Sequence, residues 1–436
     1  MMYRPLSSAV SLTALLIAGC GSWGRSGTQP APSPSETLTQ LLDVSSVYKR
    51  LGRLTCGVPL PFVADVAFLA GPGDSTVALV GLSLENRNLA FQREGDVFEA
   101  RYRVEISAQP GAGGRSITAA KDQTVKVGSF GETQRADESI LYQEGLTLSP
   151  GDWKVYVSVT DRGGRKTGRA EAAYRVPAFA PGSFSTPRLA YQARARSSRT
   201  APVAIILNPR GTIAYGGDTA LVYVEAYQLA SPASVPVRLF DSRDSLIMQD
   251  SLRFAGGQPV ESAVLRFTPD SAPLGELRIV VGNPPAADST VALVSFSQGW
   301  VVTNFDDMLS LLRYFPPSPA LDSLRRATPA ERGRLWKEFW RSSDPNNATA
   351  ANESLDDYFG RIVRANAQFR GEGVPGWRTD RGEVLIRLGE PDEVFDASPA
   401  SEGRLIRWGF TQYQLALYFV DETGFGRFRL TPASRA

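Results

Sequence analysis

Between Phe62 and about Phe296 the apolar residues of this chain tend to recur at every second position in short runs, whereas after Gly299 they recur every three to four. A period of two commits a backbone to strands with one face buried, and a period near 3.6 to helices with one apolar stripe. The sequence is therefore organised as a long strand-forming region followed by a mixed one. Strands are expected at Val63 to Leu69, Thr76 to Leu82, Phe98 to Ser107, Gln123 to Val127, Trp153 to Thr160 and Ala172 to Val176. Gly71-Pro72-Gly73 and Asp161-Arg162-Gly163-Gly164 punctuate them as turns.

A Pro/Ser/Arg-rich stretch over residues 179–200 reads as a linker, after which the strand pattern resumes at Leu221 to Tyr227, Val235 to Asp241, Ala263 to Thr268 and Glu276 to Gly282. Blocks of about 100 residues with these short strands predict two immunoglobulin-like β-sandwiches, over residues 53–178 and 201–298. Tyr223 and Tyr227 share strand parity with Leu221 and Glu225, which leaves open whether they face core or solvent.

After Gly299, Phe305, Met308, Leu309 and Leu312 mark a helix capped by Thr303 and stopped by Pro316-Pro317. Thr328-Pro329-Ala330-Glu331 has the form of a capping box opening a second helix through Trp336, Phe339 and Trp340. A third carries Leu355, Tyr358, Phe359, Ile362 and Phe369. Val384, Ile386 and Leu388 fit a strand, or a short helix capped by Asp380 and closed by Gly389. Leu405 to Phe410, Tyr413 to Val420 and Phe425 to Leu430 fit an antiparallel meander, so residues 299–436 read as an α+β domain.

The N-terminus reads as an address. Residues 1–20 place Arg4 before an apolar run too short to span a bilayer, then Ile17-Ala18-Gly19-Cys20, which resembles the bacterial lipobox. That resemblance implies a lipid-modified Cys20, and Gly21 in place of an aspartate implies the outer membrane. Residues 21–36, rich in Gly, Ser and Pro, read as a flexible tether, and residues 37–52 as a short helix stopped by Gly52. Cys56 is then left without a disulfide partner, as a small buried hydrophobe.

Composition removes several chemistries. The chain of 436 residues has no histidine and two cysteines, which excludes imidazole-based catalysis, imidazole-dependent triads and nearly every zinc site. With 47 Lys plus Arg against 45 Asp plus Glu, no net field draws it to nucleic acid. The expected partners are the membrane, through the lipid, and an envelope protein or a cell-wall glycan; no cofactor, metal or catalytic residue is expected.

The stretch richest in special backbone chemistry runs from Gly376 to Glu393. Gly376, Trp377, Thr379 and Asp380 form a Gly-Trp-x-Thr-Asp signature, and the chain resembles the GWxTD-domain family of bacterial secreted or lipid-anchored proteins. Phe339-Trp340, Asp344-Pro345, Asn352-Glu353, Arg361, Ala365-Asn366 and Phe369 extend the likeness upstream. Arg381, Gly382, Gly389, Pro391, Asp392, Glu393, Trp408 and the Asp421 to Phe425 turn extend it downstream. Leu385 and Leu388 depart from it, standing where the family more often has tyrosines. The resemblance implies no reaction.

Trp336 and Trp340, four apart, are expected in the core, and Trp377, after Gly376, is expected to be exposed or to line a pocket. If the loops after Thr379 and Gly389 meet, Asp380 with Asp392 or Glu393 would form an acidic site able to hold a cation or to work as a hydrolase pair. The simpler expectation is structural: Thr379 or Asp380 caps backbone N–H groups, Arg381 pairs with Asp392 or Glu393, and Gly382 and Gly389 take unusual backbone angles.

Overall fold

The computed structural model describes residues 44–135, 140–217, 219–269, 272–297, 299–347, 352–369, 374–396 and 404–435. The expected signal peptide, Cys20, the tether and residues 37–43 of the first helix lie outside them.

After helix α1 (Val44–Arg50) come β1 (Leu54–Cys56), β2 (Phe62–Ala70), β3 (Thr76–Leu84), β4 (Gln92–Glu94), β5 (Val97–Pro110), β6 (Ile117–Val127) and a single turn α2 (Phe130–Thr133). β7 (Ile140–Leu148), β8 (Gly151–Asp161) and β9 (Thr167–Val176) complete the first block. They build two sheets, β1-β2-β3-β7 (sheet I) and β4-β5-β8-β9 with β6 also paired to β5 (sheet II). The second block contains β10 (Arg188–Ala193), β11 (Ile205–Leu207), β12 (Thr212–Ala214), β13 (Ala220–Tyr227), β14 (Ala233–Phe240), β15 (Leu246–Phe254), β16 (Val260–Phe267), β17 (Gly275–Val281) and β18 (Asp288–Ser295). These form β11-β10-β13-β16 (sheet III) and β12-β18-β17-β14-β15 (sheet IV), with β12 parallel to β18.

The burial patterns give the stacking order. β8 alternates buried and partly exposed residues, as a strand with one wet face must, and so do β14 and β17. β2 is buried at every position and β13 at its last six, which requires protein on both faces. In β2, Phe62, Ala64, Val66 and Phe68 join a core with Val155, Val157 and Val159 of sheet II. The opposite face sends Ala67 and Leu69 against Ile205, Leu207 and Tyr223 of sheet III. In β13, Val222, Val224 and Ala226 face sheet IV. The layers therefore run II, I, III, IV.

The parity left open by the sequence is settled here: Tyr223, Glu225 and Tyr227 point into the junction of sheets I and III, fully buried. Segment 179–200 is not a linker but part of that junction. It forms β10, and its Arg196 pairs with Glu225 at 2.6 Å with both side chains at most 1% exposed. Arg196 also donates to the Ala70 carbonyl of sheet I at 2.8 Å, and the hydroxyls of Tyr223 and Tyr227 donate to the Glu225 carboxylate at 2.6 and 2.9 Å. Burial works against the Arg196 charge, but the Glu225 carboxylate outweighs it and leaves the guanidinium more firmly protonated than usual. Nearer the middle of β2, Asp65 meets Arg53 at 2.8 Å and Arg188 at 3.7 Å. Burial raises its pKa, the two arginines lower it by more, and the carboxylate stays ionised.

The chain continues through α3 (Phe305–Leu311), α4 (Pro319–Arg325), α5 (Arg332–Ser343), α6 (Glu353–Gln368) and α7 (Asp380–Leu388). It closes with β19 (Glu393–Asp396), β20 (Arg404–Phe410), β21 (Leu415–Asp421), β22 (Arg429–Leu430) and a last turn α8 (Pro432–Arg435). The four strands make a meander in sequence order. α3 is capped by Asn304, which accepts from the N–H groups of Asp306 and Asp307, rather than by Thr303. The Thr328 to Glu331 box forms between the side chains at 2.5 Å but precedes α5 instead of lying within it. The boundary drawn at residue 299 does not divide the core. Phe296 of the sheet region meets Trp336 of α5 edge-on at 4.5 Å, and Trp300 stacks on Phe359 of α6 at 4.0 Å.

Glu225→Ala leaves the Arg196 guanidinium buried without its carboxylate and should cost about 3–5 kcal/mol in denaturant unfolding. Replacing both partners together, as in Arg196→Met with Glu225→Leu, should recover much of that loss. A loss below about 1 kcal/mol for the single variant would show that the pair is not desolvated.

Candidate functional site

The Gly-Trp-x-Thr-Asp stretch is a folding bracket. Gly376 opens a tight turn whose backbone lies on α6: a Cβ there would collide with the Ala365 carbonyl, and the Gly376 N–H donates to Asn366 Oδ1 at 3.0 Å. Trp377 is 1% exposed, so the expectation of an exposed or pocket-lining ring is overturned; it plugs the core beside Tyr314, with Arg313 and Arg378 over its ring. Thr379, not Asp380, caps α7: its Oγ1 accepts from the Gly382 N–H at 2.9 Å and donates to the Gly376 carbonyl at 2.8 Å. Gly382 lies so close to the Gly376 carbonyl that any Cβ would strike it. Residues 380–388 are therefore helical, and Val384, Leu385 and Ile386 are all buried, which alternation alone would not produce. Leu385 and Leu388 pack as apolar side chains. Gly389, at φ +89°, stops the helix, and Pro391 follows in the turn to β19.

The signature carboxylates are not brought together. Asp380 accepts from the Leu430 N–H at 2.7 Å and meets Arg429 at 3.3 Å, which ties α7 to β22. Asp392 accepts from the Thr411 N–H at 2.6 Å, and Glu393, on β19, faces Arg407 at 3.6 Å. β19 and β22 are opposite edges of the meander, with β20 and β21 between them. Three strand spacings of roughly 4.8 Å separate those edges. A retaining or inverting pair needs about 5–9.5 Å between carboxyl groups, and adjacent metal ligands sit closer still. Among the described residues no His, Cys, Asp and Glu cluster has the geometry to hold a metal. The Arg381 guanidinium lies over Phe369 at 4.7 Å and Phe428 at 4.2 Å. Trp408 is buried against Phe419 at 4.9 Å.

A concavity able to receive a ligand lies elsewhere. A cleft of about 460 Å³ opens between the ends of sheets III and IV and the side of α5. Leu189 to Tyr191 and Asn208 form one wall, β12 with the turn through Gly217 a second, and Trp336, Lys337, Trp340, Arg341 and Asp344 the third. Positions 336, 340 and 344 stand one above another on α5 and its C-terminal end, as do 337 and 341, because residues four apart share a helix face. Trp336 is buried in an aromatic group with Phe296 and Trp300, while Trp340 is partly exposed at the cleft. Asp356 accepts from Trp300 Nε1 at 3.0 Å. Burial lifts the Asp344 carboxyl above the usual carboxylate range, and the adjacent Glu353 adds to this against the N–H of Asn346. Asn352 fastens the loop after α5, donating to the Trp340 carbonyl at 2.7 Å and to Ser343 Oγ at 2.9 Å.

Sequence reasoning found Trp336 and Trp340 but placed both simply in the core. The cleft was missed because its second wall, β12, comes more than a hundred residues before α5. The two cations on one face of a Trp-bearing helix were the signal available in the sequence.

With this geometry in view, residues 283–420 match the GWxTD domain family, and the chain carries a GWxTD domain there. The match begins before β18, so it takes in the last strand of sheet IV as well as the helices. No curated protein matches the chain. Among solved structures it is similar to dimeric latent PorU from Porphyromonas gingivalis at 12% identity and a TM-score of 0.24, over 57% of this chain and 21% of that one. It is also similar to native Escherichia coli alpha-2-macroglobulin at 12% identity and a TM-score of 0.16, over 54% and 16%. The chain thus spans about a fifth and a sixth of those two proteins, and likenesses this loose carry no argument.

Thr379→Ala should cost about 1 kcal/mol in denaturant unfolding and Thr379→Ser much less. Gly382→Ala should cost more than either, since backbone rather than a flexible side chain stands in the way of its methyl group. If the glycine variant proves the mildest of the three, the bracket is wrongly drawn.

Proposed function

We propose that this protein is a lipid-anchored component of the bacterial envelope, probing its surroundings by binding rather than by catalysis. In this reading Cys20 carries the lipid, residues 21–36 hold the folded part off the outer membrane, and the two pairs of facing sheets are immunoglobulin-like sandwiches that support the GWxTD domain. The observation that carries the binding role is the cleft against α5, which combines a partly exposed tryptophan with charged and amide side chains on a rigid wall. The signature region supports the same reading. Asp380 and Asp392 are each engaged by backbone N–H groups, and Trp377 and Thr379 are buried in the bracket. The binding partner is an envelope protein or a cell-wall glycan.

Cys20→Ala should abolish incorporation of labelled palmitate in a bacterial host and move the protein from the membrane to the soluble fraction. Unchanged labelling and unchanged fractionation would remove the anchor from this account. For the hydrolase alternative, Asp380→Asn separates the two readings: here it loosens β22 and lowers thermal stability, with partner capture retained at temperatures where the variant is folded. Metal-dependent hydrolysis lost on that substitution, with stability intact, would favour catalysis instead.

A further inference from the structure

We propose that the cleft beside α5 binds an acidic saccharide, with a sugar ring laid against Trp340 and its carboxylate held by Arg341. The proposal rests on the reading of this cleft as the protein's binding site and adds the chemical class of the ligand.

Three features point to that class. Trp340 is held in place from behind by Trp336 and Trp300, with ring centroids at 6.0 and 6.3 Å, so the ring is a fixed shelf and little conformational freedom is lost when a flat ligand covers it. The lining mixes apolar side chains such as Leu189, Ile213 and Leu221 with hydrogen-bonding groups: Thr219 and Asn347 stand at the same cleft as the backbone of the Ala214 to Gly217 turn. An apolar side chain or acyl tail would strand such groups without water, whereas the hydroxyls of a sugar match them. The charge is polarised as well. Among the described residues the carboxylates lining the cleft are already engaged, Asp356 by the indole N–H of Trp300 and Asp344 by the N–H of Asn346. Arg341 is exposed and has no carboxylate within ion-pair distance among the described residues, and it follows Trp340 directly on the helix. A planar guanidinium next to an aromatic shelf suits a carboxylate borne by a ring, which it can take in bidentate fashion. A peptide is disfavoured because β12, the strand edge at the cleft, is three residues long and offers little backbone to extend.

The test is calorimetric titration of the full lipidated chain in detergent with two disaccharides that differ by the lactyl carboxylate, N-acetylglucosaminyl-N-acetylmuramic acid and the neutral N,N′-diacetylchitobiose. The acidic sugar should bind at least about tenfold more tightly, a factor worth about 1.4 kcal/mol. Arg341→Gln, at an exposed position, should erase that preference and leave binding of the neutral sugar unchanged, while Trp340→Leu should weaken both sugars and Trp340→Phe should restore part of the loss. Equal affinity for the two sugars, or an Arg341→Gln variant that keeps the preference, overturns the acidic class while leaving the cleft as a saccharide site. Absence of binding by both sugars overturns the proposal. In that case a carboxylate-ended peptide that binds the parent chain and not Trp340→Leu would preserve the cleft with a different ligand, and failure of that probe too would remove the cleft reading itself.

Discussion

The Arg196–Glu225 pair is the contact on which the architecture turns. Two charges at most 1% exposed are tolerable only when each is fully answered, and here the carboxylate receives the guanidinium and two tyrosine hydroxyls while the guanidinium reaches across to the Ala70 carbonyl. That last bond joins sheet III to sheet I. Arg188 repeats the pattern nearby with Asp65 and the Val66 carbonyl, and Arg210 with Glu85 and Ser83. A junction fastened by charges of fixed geometry has one register, whereas a purely apolar one would tolerate sliding. Sheets II, I, III and IV are stacked in one order for this reason, and the end of sheets III and IV becomes a fixed wall for the cleft.

Much of this was legible in the residues and some was not. Strand alternation located most of the strands, and the shift of period after Gly299 located α3, α5 and α6 but not α4, because both signals are local. The stacking order has a mark in the sequence as well: Phe62 to Ala70 is nearly continuous in apolar residues, as in a strand covered on both faces, while Trp153 to Thr160 alternates. Segment 179–200 was misread because Pro, Ser and Arg describe a solvated linker unless buried carboxylates await the arginines, and those carboxylates lie on β2 and β13, far away in sequence. The same non-locality hid the caps. Asn304 outcompetes Thr303 by one position, and Thr379 outcompetes Asp380 because Asp380 is drawn to the β22 backbone.

The signature shows how a dense motif can be about folding. Two glycines permit backbone contact between a turn and two helices, the tryptophan fills the space this creates, the threonine closes the first turn of α7, and the aspartate fastens the final strand. Each of these residue types is matched to a contact that its neighbours supply. The cleft lies instead along α5, whose buried aromatic row meets Phe296 next to sheet IV and whose outer face carries Trp340 and Arg341.

The account depends most on segment 179–200 being part of a buried junction. Hydrogen–deuterium exchange read by mass spectrometry over this segment tests it directly, since opening free energy sets the rate. Peptides covering Ser185 to Arg196 should be protected to nearly the same degree as those from β13, because the Ser185 N–H donates to the Glu225 carbonyl and β10 pairs with β13. Exchange of the whole segment within seconds, at the rate of an exposed linker, would contradict the stacked junction and with it the fixed wall of the cleft.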